Sequence, residues 1–187
     1  MAEPRIDPID PPYTADIQAA FDIVMRGAPP LKLFRTIAHN PRVLQRFMAG
    51  GLLDRGSIPM RLRELMILRT TALCGAEYEW GVHVAAFAAK AGLTEAEWRA
   101  TASGADPGTW SAQDRLVLQL AEALHRVHTV DDALWTALSE ALEPPQLIEL
   151  IILAGQYHGV SYLVNALRIE HEDGAPRFTA ATRPSTS

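Results

Sequence analysis

The stretch RELMILRTTALCGAEYEWGVH, residues 63–83, decides the fold of this chain and contains its most informative ionisable residues. Its first half is too apolar on every side for a surface helix, so it predicts a buried, central helix. Glu64, Glu79 and His83 interrupt this otherwise apolar sequence. Because Glu79 and His83 are four residues apart, they share one face of a helix, a spacing that suits proton transfer.

The sequence on both sides of this stretch predicts further helices, with proline at helix starts and glycine at helix ends. A T-x-x-E capping box at Thr94 and Glu97 marks one of these starts. The predicted helices cover about residues 14–26, 31–38, 41–53, 59–73, 77–90, 94–102, 111–128, 131–142 and 144–169. Since no segment alternates like a strand between hairpin turns, we expect an all-α fold with antiparallel neighbouring helices.

The chain length and the positions of proline and glycine predict one domain with an extension at each end. The 187 residues, 48% of them hydrophobic, are sufficient for a substantial core. A proline-rich extended arm is expected over residues 1–13, a single helical domain over 14–173, and a flexible tail over 174–187.

Composition excludes several classes of function. Seventeen Lys and Arg against 22 Asp and Glu give a net charge of -5, and no cluster of like charges predicts binding to nucleic acid. We expect no apolar run to approach the roughly 18 residues that a transmembrane helix needs, and therefore a cytoplasmic protein without a membrane partner. The single cysteine, Cys74, has no partner for an intramolecular disulfide.

Two segments resemble the carboxymuconolactone decarboxylase family. One is residues 59–93, with Glu64, the EYEW sequence at 77–80 and His83; the other is GQYHGVSYLVNALR at 155–168. The resemblance covers about residues 41–169. It implies an alkylhydroperoxidase D-like helical bundle that assembles into a homo-oligomer, often a trimer or hexamer. The family includes lactone decarboxylases and thiol peroxidases.

The peroxidase branch of that family combines a glutamate and a histidine with two cysteines at fixed spacing. Glu64 and His83 match this pattern, but the cysteine positions fall on Ala76 and Glu79. Cys74 lies two residues too early and has no resolving partner. A peroxidase is therefore the third and disfavoured interpretation, and a small buried filler is the simpler role for Cys74.

The resemblance then favours acid/base chemistry, such as decarboxylation, on a small organic acid or lactone, with Glu64, Glu79 and His83 as catalytic residues. His83 is the candidate proton donor because its ordinary pKa lies near physiological pH. Glu79 is expected to hold the imidazole in one tautomer, and Glu64 to share the proton or to position water. The alternative is a binding or regulatory member of the family in which His83 is a satisfied core residue.

Three further side chains are predicted to bind substrate: Tyr78, Trp80 and His158. Tyr78 and Trp80 flank Glu79 and are expected to wall the pocket, although packing aromatics give the same pattern. His158 belongs to a polar triplet, residues 156–158, in a very apolar helix. Such polar groups destabilise a protein unless they find partners, so they line the same cavity or a subunit interface.

No metal or cofactor is predicted. A metal site at Glu64, Glu79, His83 and His158 is disfavoured, because the E-x-x-x-H spacing differs from known di-iron and zinc helix motifs. His125 lies near the end of a helix, where the helix dipole is the simpler explanation.

The arginines at positions 61, 63 and 69 surround Glu64, and one of them is expected to bind a substrate carboxylate. Apolar faces on many helices of a small domain also predict a homo-oligomer.

Overall fold

The computed structural model describes residues 3–179, and every regular element in this part of the chain is helical. The elements are α1 (Ala15–Met25), α2 (Lys32–Ile37), α3 (Pro41–Ala49), α4 (Met60–Leu73), α5 (Glu77–His83), a π-helical segment (Val84–Ala88), α6 (Glu95–Ser103), α7 (Ala112–Val127), α8 (Asp132–Ala141) and α9 (Pro144–Leu167). The all-α prediction is confirmed.

Helix α4 is the centre of the molecule, as its composition predicted. Every residue from 62 to 72 is buried, and α5, α6, α7 and α9 all pack against it. Because neighbours surround the helix on all sides, it has no solvent-facing stripe. This position places the side chains of α4 within reach of four other helices, of which α7 and α9 are long.

A tight turn at Gly75 joins α4 to α5. The amide of Gly75 donates to the carbonyl of Ala72, and the amide of Ala76 donates to that of Thr71, at 2.9 and 2.8 Å. This pair of bonds is a Schellman motif, and it needs a left-handed residue, here Gly75 with φ +64°. The turn folds α5 back against the polar side chains of α4.

The helix predicted over residues 77–90 is not continuous. Helix α5 ends at His83, and the next five residues, Val84–Ala88, form a π-helical turn. Short π-helical turns are rare and often occur at functional sites. The irregular turn begins immediately after the candidate proton donor.

The capping box predicted at Thr94 is present, and a second box occurs at Ser111. Thr94 with Glu97, and Ser111 with Asp114, form complete capping boxes at the starts of α6 and α7. The main boundary difference is α3, which ends at Ala49 and not near residue 53. A loop over residues 50–59 therefore precedes α4.

Both extensions contact the domain of their own chain. In the arm, the amide of Arg5 donates to the carbonyl of Leu167 at 3.0 Å. After α9, the amide of Phe178 donates to Glu77 Oε1 at 2.5 Å. An added Cβ at Gly81 would lie 2.3 Å from the carbonyl oxygen of Pro176, so this segment needs a glycine in α5. The tail predicted as flexible begins with these packed residues, and its end, 180–187, lies outside the described residues.

Helix α9, with 24 residues, is long and apolar enough to cross a membrane by length and composition alone. This differs from the expectation that no segment approaches that length. Of its most apolar window, 44% is buried inside the protein, and the helix packs on α4, α5, α7 and α8. The core helix of a soluble protein has the same properties, so the helix is weak evidence for a membrane.

Candidate functional site

The three predicted catalytic residues meet around the imidazole of His83. Its Nδ1 lies 2.8 Å from Oε2 of Glu64, and its Nε2 lies 3.5 Å from Oε1 of Glu79. Glu64 comes from α4, while Glu79 and His83 come from α5. The four-residue spacing thus places both α5 side chains together, as the sequence predicted.

A fourth residue, Tyr157 of α9, completes the group. Its hydroxyl oxygen lies 2.9 Å from His83 Nε2, and the two rings pack edge to face with centroids 5.0 Å apart. In the sequence, Tyr157 stands out only as a member of the polar triplet at residues 156–158. That triplet was the available signal, but which of its members faces His83 depends on the rotation of α9.

Arg63 holds the far side of the Glu64 carboxylate. Its Nε donates to Glu64 Oε1 at 2.9 Å, and its Nη1 donates to the carbonyl of Leu53 at 2.8 Å. Its Nη2 lies 2.8 Å from the same Glu64 oxygen, but the angle does not suit a hydrogen bond, and Nη2 has no hydrogen-bond acceptor among the described residues. The guanidinium also lies over the ring of Phe87, 5.4 Å from its centroid.

We define the His83 cluster as Arg63, Glu64, Glu79, His83 and Tyr157. All five residues are buried: Glu64 is 0% exposed, and Glu79, the most exposed, is 7% exposed. Inside such an apolar environment, hydrogen bonds and charge pairs are stronger than in water. The arrangement links two carboxylates, one imidazole, one phenol and one guanidinium in a buried site.

The two carboxylates favour the charged form of His83. Burial lowers the pKa of the imidazole, but the hydrogen bonds and negative charges of Glu64 and Glu79 outweigh burial and raise the pKa to about 9. Burial, reinforced by the charges of Glu79 and Glu64, raises the pKa of Tyr157 well above its ordinary value. At neutral pH the cluster therefore contains an imidazolium beside a neutral phenol.

The roles of the two glutamates differ from the sequence analysis. Glu79 was expected to fix the imidazole tautomer, but Glu64 makes the short contact with Nδ1. An Nδ1–H that donates to Glu64 directs Nε2 toward Glu79 and Tyr157. Nε2 is therefore the nitrogen available for proton exchange with a ligand.

Two of the predicted substrate-binding residues make their contacts away from this cluster. The Tyr78 hydroxyl accepts from the amide of Leu33 at 3.2 Å and donates to Glu172 at 2.6 Å. Trp80 is 0% exposed and donates from Nε1 to Thr101 Oγ1 at 3.0 Å. These contacts join α5 to α2, to α6 and to the segment after α9.

His158 belongs to a second group. Its Nε2 lies 3.1 Å from Nδ1 of His125, and that nitrogen lies 3.8 Å from Sγ of Cys74. The structure thus places Tyr157 and His158, neighbours in α9, in two different clusters. The helix-dipole interpretation of His125 did not anticipate this contact, because His125 and Cys74 are far apart in sequence.

Of the three arginines near Glu64 in the sequence, only Arg63 belongs to the His83 cluster, through its hydrogen bond to Glu64. Arg61 binds Glu97 and Asp114 at 2.7 and 3.0 Å, and Arg69 binds Glu122 at 2.6 Å. Arg63 is therefore the arginine in position to meet a substrate carboxylate near His83.

Two surface depressions lie away from the His83 cluster. One is lined in part by Arg69, Trp110 and Arg115, and the other, of about 490 Å³, by residues of the arm and of the segment after α9. Neither includes a residue of the cluster. Because His83 is only 3% exposed, a ligand reaches its Nε2 only if the side chains that cover it move.

Comparison with known proteins agrees with this architecture. The model of the carboxymuconolactone decarboxylase family matches residues 41–123, which include Glu64, Glu79 and His83. No functionally curated protein matches the chain significantly.

Several solved structures share the fold. An uncharacterized peroxidase-related protein from Silicibacter sp. TM1040 has a TM-score of 0.80 at 16% identity, over 94% of this chain and 96% of that chain. An uncharacterized peroxidase-related protein from Ralstonia eutropha JMP134, described as an alkylhydroperoxidase AhpD core, has a TM-score of 0.67 at 17% identity, over 92% and 95%. The debrominase Bmp8 has a TM-score of 0.68 at 15% identity, over 90% and 92%.

At such identities these neighbours establish the fold and not a shared reaction. The fold is that of the alkylhydroperoxidase D-like helical proteins. The match over residues 41–123 shows that this part of the chain is similar to the carboxymuconolactone decarboxylase family.

Proposed function

We propose that the His83 cluster performs acid/base chemistry on a small organic acid or lactone, with decarboxylation as the leading reaction. The observation that carries this proposal is a buried imidazole bonded on both nitrogens, to Glu64 through Nδ1 and to Tyr157 through Nε2. Such pairing fixes the ring and stabilises its protonated form. A positioned imidazolium is a suitable general acid.

Loss of carbon dioxide next to an unsaturated lactone leaves electron density on carbon, which a proton must neutralise. In this proposal His83 donates that proton from Nε2, while Glu64 retains the Nδ1–H hydrogen bond. Tyr157 and Glu79, both near Nε2, keep the imidazole oriented for this transfer. They then deliver a proton from solvent back to Nε2. The balance is one carbon–carboxylate bond broken and one carbon–hydrogen bond formed.

Arg63 is the proposed anchor for the substrate carboxylate. Its guanidinium is buried, and Nη2, although 2.8 Å from Glu64 Oε1, makes no well-aligned hydrogen bond within the described residues. A carboxylate is a matching acceptor for such a donor. Because Arg63 also pairs with Glu64, substrate binding would connect directly to the residue that orients His83.

A binding or regulatory function is the second candidate, and one observation favours it. The cluster is nearly closed to solvent, and most of its polar groups already have partners. Under this alternative, an acid binds near Arg63 without chemical change, or the cluster only stabilises the core. The thiol peroxidase has no such support, because Cys74 contacts His125 and not the His83 cluster.

The test is release of carbon dioxide from carboxymuconolactone and close analogues. Wild type is compared with His83→Gln and, as a matched control, His128→Gln, because His128 is exposed and its ring bonds only the carbonyl of Leu124 among the described residues. General acid/base groups contribute about 10²–10⁴-fold, so His83→Gln should lower kcat by about that factor and His128→Gln should not change it.

Turnover that persists in folded His83→Gln would reject the proposed acid. Binding of an acid without carbon dioxide release, detected by calorimetry and lost in Arg63→Gln, would establish the binding alternative.

A further inference from the structure

A second group of reactive side chains lies outside the His83 cluster, and neither the family match nor the proposed function uses it. It consists of Cys74, His125 and His158, which come from the end of α4, the last turn of α7 and the middle of α9. One ligand atom from each residue lies within 4.8 Å of the other two. We propose that these three side chains bind a divalent transition metal of the zinc type.

The spacing of the donor atoms fits a tetrahedral metal. With bonds of about 2.3 Å to sulfur and 2.0–2.1 Å to nitrogen, tetrahedral ligands lie about 3.6 Å apart for a sulfur–nitrogen pair and about 3.3 Å apart for two nitrogens. Here Sγ of Cys74 and Nδ1 of His125 are 3.8 Å apart, and the two histidine nitrogens are 3.1 Å apart. Shifts of a few tenths of an ångström bring these atoms to the distances required.

The donors are already oriented. The Nδ1–H of His158 donates to the carbonyl of Ala154 at 2.9 Å, so in the neutral ring the lone pair is on Nε2, the atom that faces His125. Histidine ligands in metal sites characteristically donate their second N–H to a carbonyl or carboxylate. The backbone of Cys74 is held as well, because Asn165 donates to its carbonyl at 2.8 Å.

The site is accessible to an ion and has room for a further ligand. All three residues are partly buried, which gives an entry path that the His83 cluster lacks. Three protein ligands leave the fourth tetrahedral position for water or an anion. Sulfur and imidazole donors select zinc-type ions over Mg²⁺ and Ca²⁺, which prefer oxygen. Binding releases the thiol proton of Cys74 to solvent.

This proposal departs from the expectation that the chain binds no metal, and it gives Cys74 a role other than apolar filler. The proposed metal site also explains why α9, an otherwise apolar helix, contains a polar residue at His158 that does not face His83. The ion would connect three core helices at one point.

The experiment uses the untagged full chain, freed of metal with a chelator, and Co²⁺ as a spectroscopic probe of the zinc site. We expect one Co²⁺ per chain, with a sulfur-to-cobalt charge-transfer band that one equivalent of Zn²⁺ abolishes. Cys74→Ser should remove that band. His158→Gln should weaken affinity by at least about ten-fold, since loss of even outer-shell partners costs about 10–100-fold. His128→Gln and His83→Gln, outside the site, should leave affinity unchanged.

A second measurement on wild type does not depend on the folding of variants. Because Cys74 is the chain's single cysteine, the rate of its reaction with a disulfide reagent reports on this site alone. Saturating Zn²⁺ should slow that reaction at least about ten-fold, and a chelator should restore it. An unchanged rate, or metal binding that survives Cys74→Ser with the same spectrum, would overturn the proposal.

Discussion

At the scale of single residues, the unusual property of this protein is a histidine held in its charged form inside the core. His83 is 3% exposed, and the carboxylates of Glu64 and Glu79 offset the free-energy cost of burying its positive charge. Removing one partner from such a group leaves a buried charge or polar atom without compensation. Stability and chemistry at this site are therefore linked.

The raised pKa of His83 predicts a dependence of stability on pH. Unfolding returns the imidazole to its ordinary pKa of 6.5 from about 9, so the folded state holds the proton more tightly. The resulting stabilisation is complete below about pH 6.5 and is lost as the pH rises toward 9, with an upper size of about 3 kcal/mol.

Urea denaturation of wild type and His83→Gln between pH 6 and 9.5 measures this effect. The difference in free energy of unfolding between the two proteins should shrink as the pH rises. Nitrogen NMR of the wild-type imidazole should show a titration near pH 9. A ring that titrates near 6.5 would contradict the interpretation.

The hydroxyl of Tyr157 gives the next prediction. Tyr157→Phe deletes the 2.9 Å contact with His83 Nε2 and should cost about 1–3 kcal/mol of stability, because a buried polar atom loses a partner. It should also lower any turnover that depends on Nε2. Tyr162→Phe is the matched control, since Tyr162 lies on the same helix and is 69% exposed. Equal stabilities by thermal and urea denaturation would argue against the contact.

At the scale of helices, Arg61 connects three elements. From α4 it reaches Glu97 of α6 and Asp114 of α7, whose side chains are only 5% and 2% exposed. Both carboxylates also cap the helices to which they belong. Burial alone would raise the pKa of Glu97, but the hydrogen bonds from Arg61 and Thr94 outweigh burial and lower the pKa to about 2.

Arg61→Gln should therefore destabilise the protein by about 2–4 kcal/mol, since it leaves two buried carboxylates without their cation. Arg99→Gln breaks an exposed pair with Glu95 and should cost less than about 0.5 kcal/mol. The low pKa of Glu97 adds stability above about pH 4.5 that is lost as the pH falls toward 2. Urea midpoints at pH 7 and pH 4 measure both effects, and similar costs for the two variants would contradict this interpretation.

At the scale of the whole molecule, one face of α9 predicts self-association. Ile148, Ile152 and Tyr162 are 64%, 58% and 69% exposed and follow one side of the helix. Gly155 and Gly159, also exposed, lie between them on that side, so the strip carries no charge. Exposed apolar strips of this kind are typical of protein interfaces. A second copy of the chain is the expected partner.

Light scattering at micromolar concentration should give a multiple of the 20.5 kDa chain mass. Ile152→Glu places a charge within the strip and should lower that mass. Ile23→Glu, on α1 and 77% exposed, is the matched control and should not. A monomeric mass for wild type would show that this surface is not an interface between copies at that concentration.

The sequence by itself determined the approximate positions of the helices, the capping box at Thr94 and the central position of α4, but not the early end of α3 or the π-helical turn after His83. These features follow from local rules: apolar periodicity, proline and glycine positions, and the T-x-x-E pattern at Thr94 are all read within a few residues. It also determined that Glu79 and His83 share a face, because four residues are about one helical turn.

Only the tertiary structure decided which distant side chains meet. Glu64 and not Glu79 bonds Nδ1 of His83, and Tyr157 joins that cluster while its neighbour His158 joins Cys74 and His125. Adjacent residues on a helix point about 100° apart, so the rotation of α9 against α4 and α7 assigns them to separate sites. That rotation depends on packing across the whole core, which no local pattern encodes.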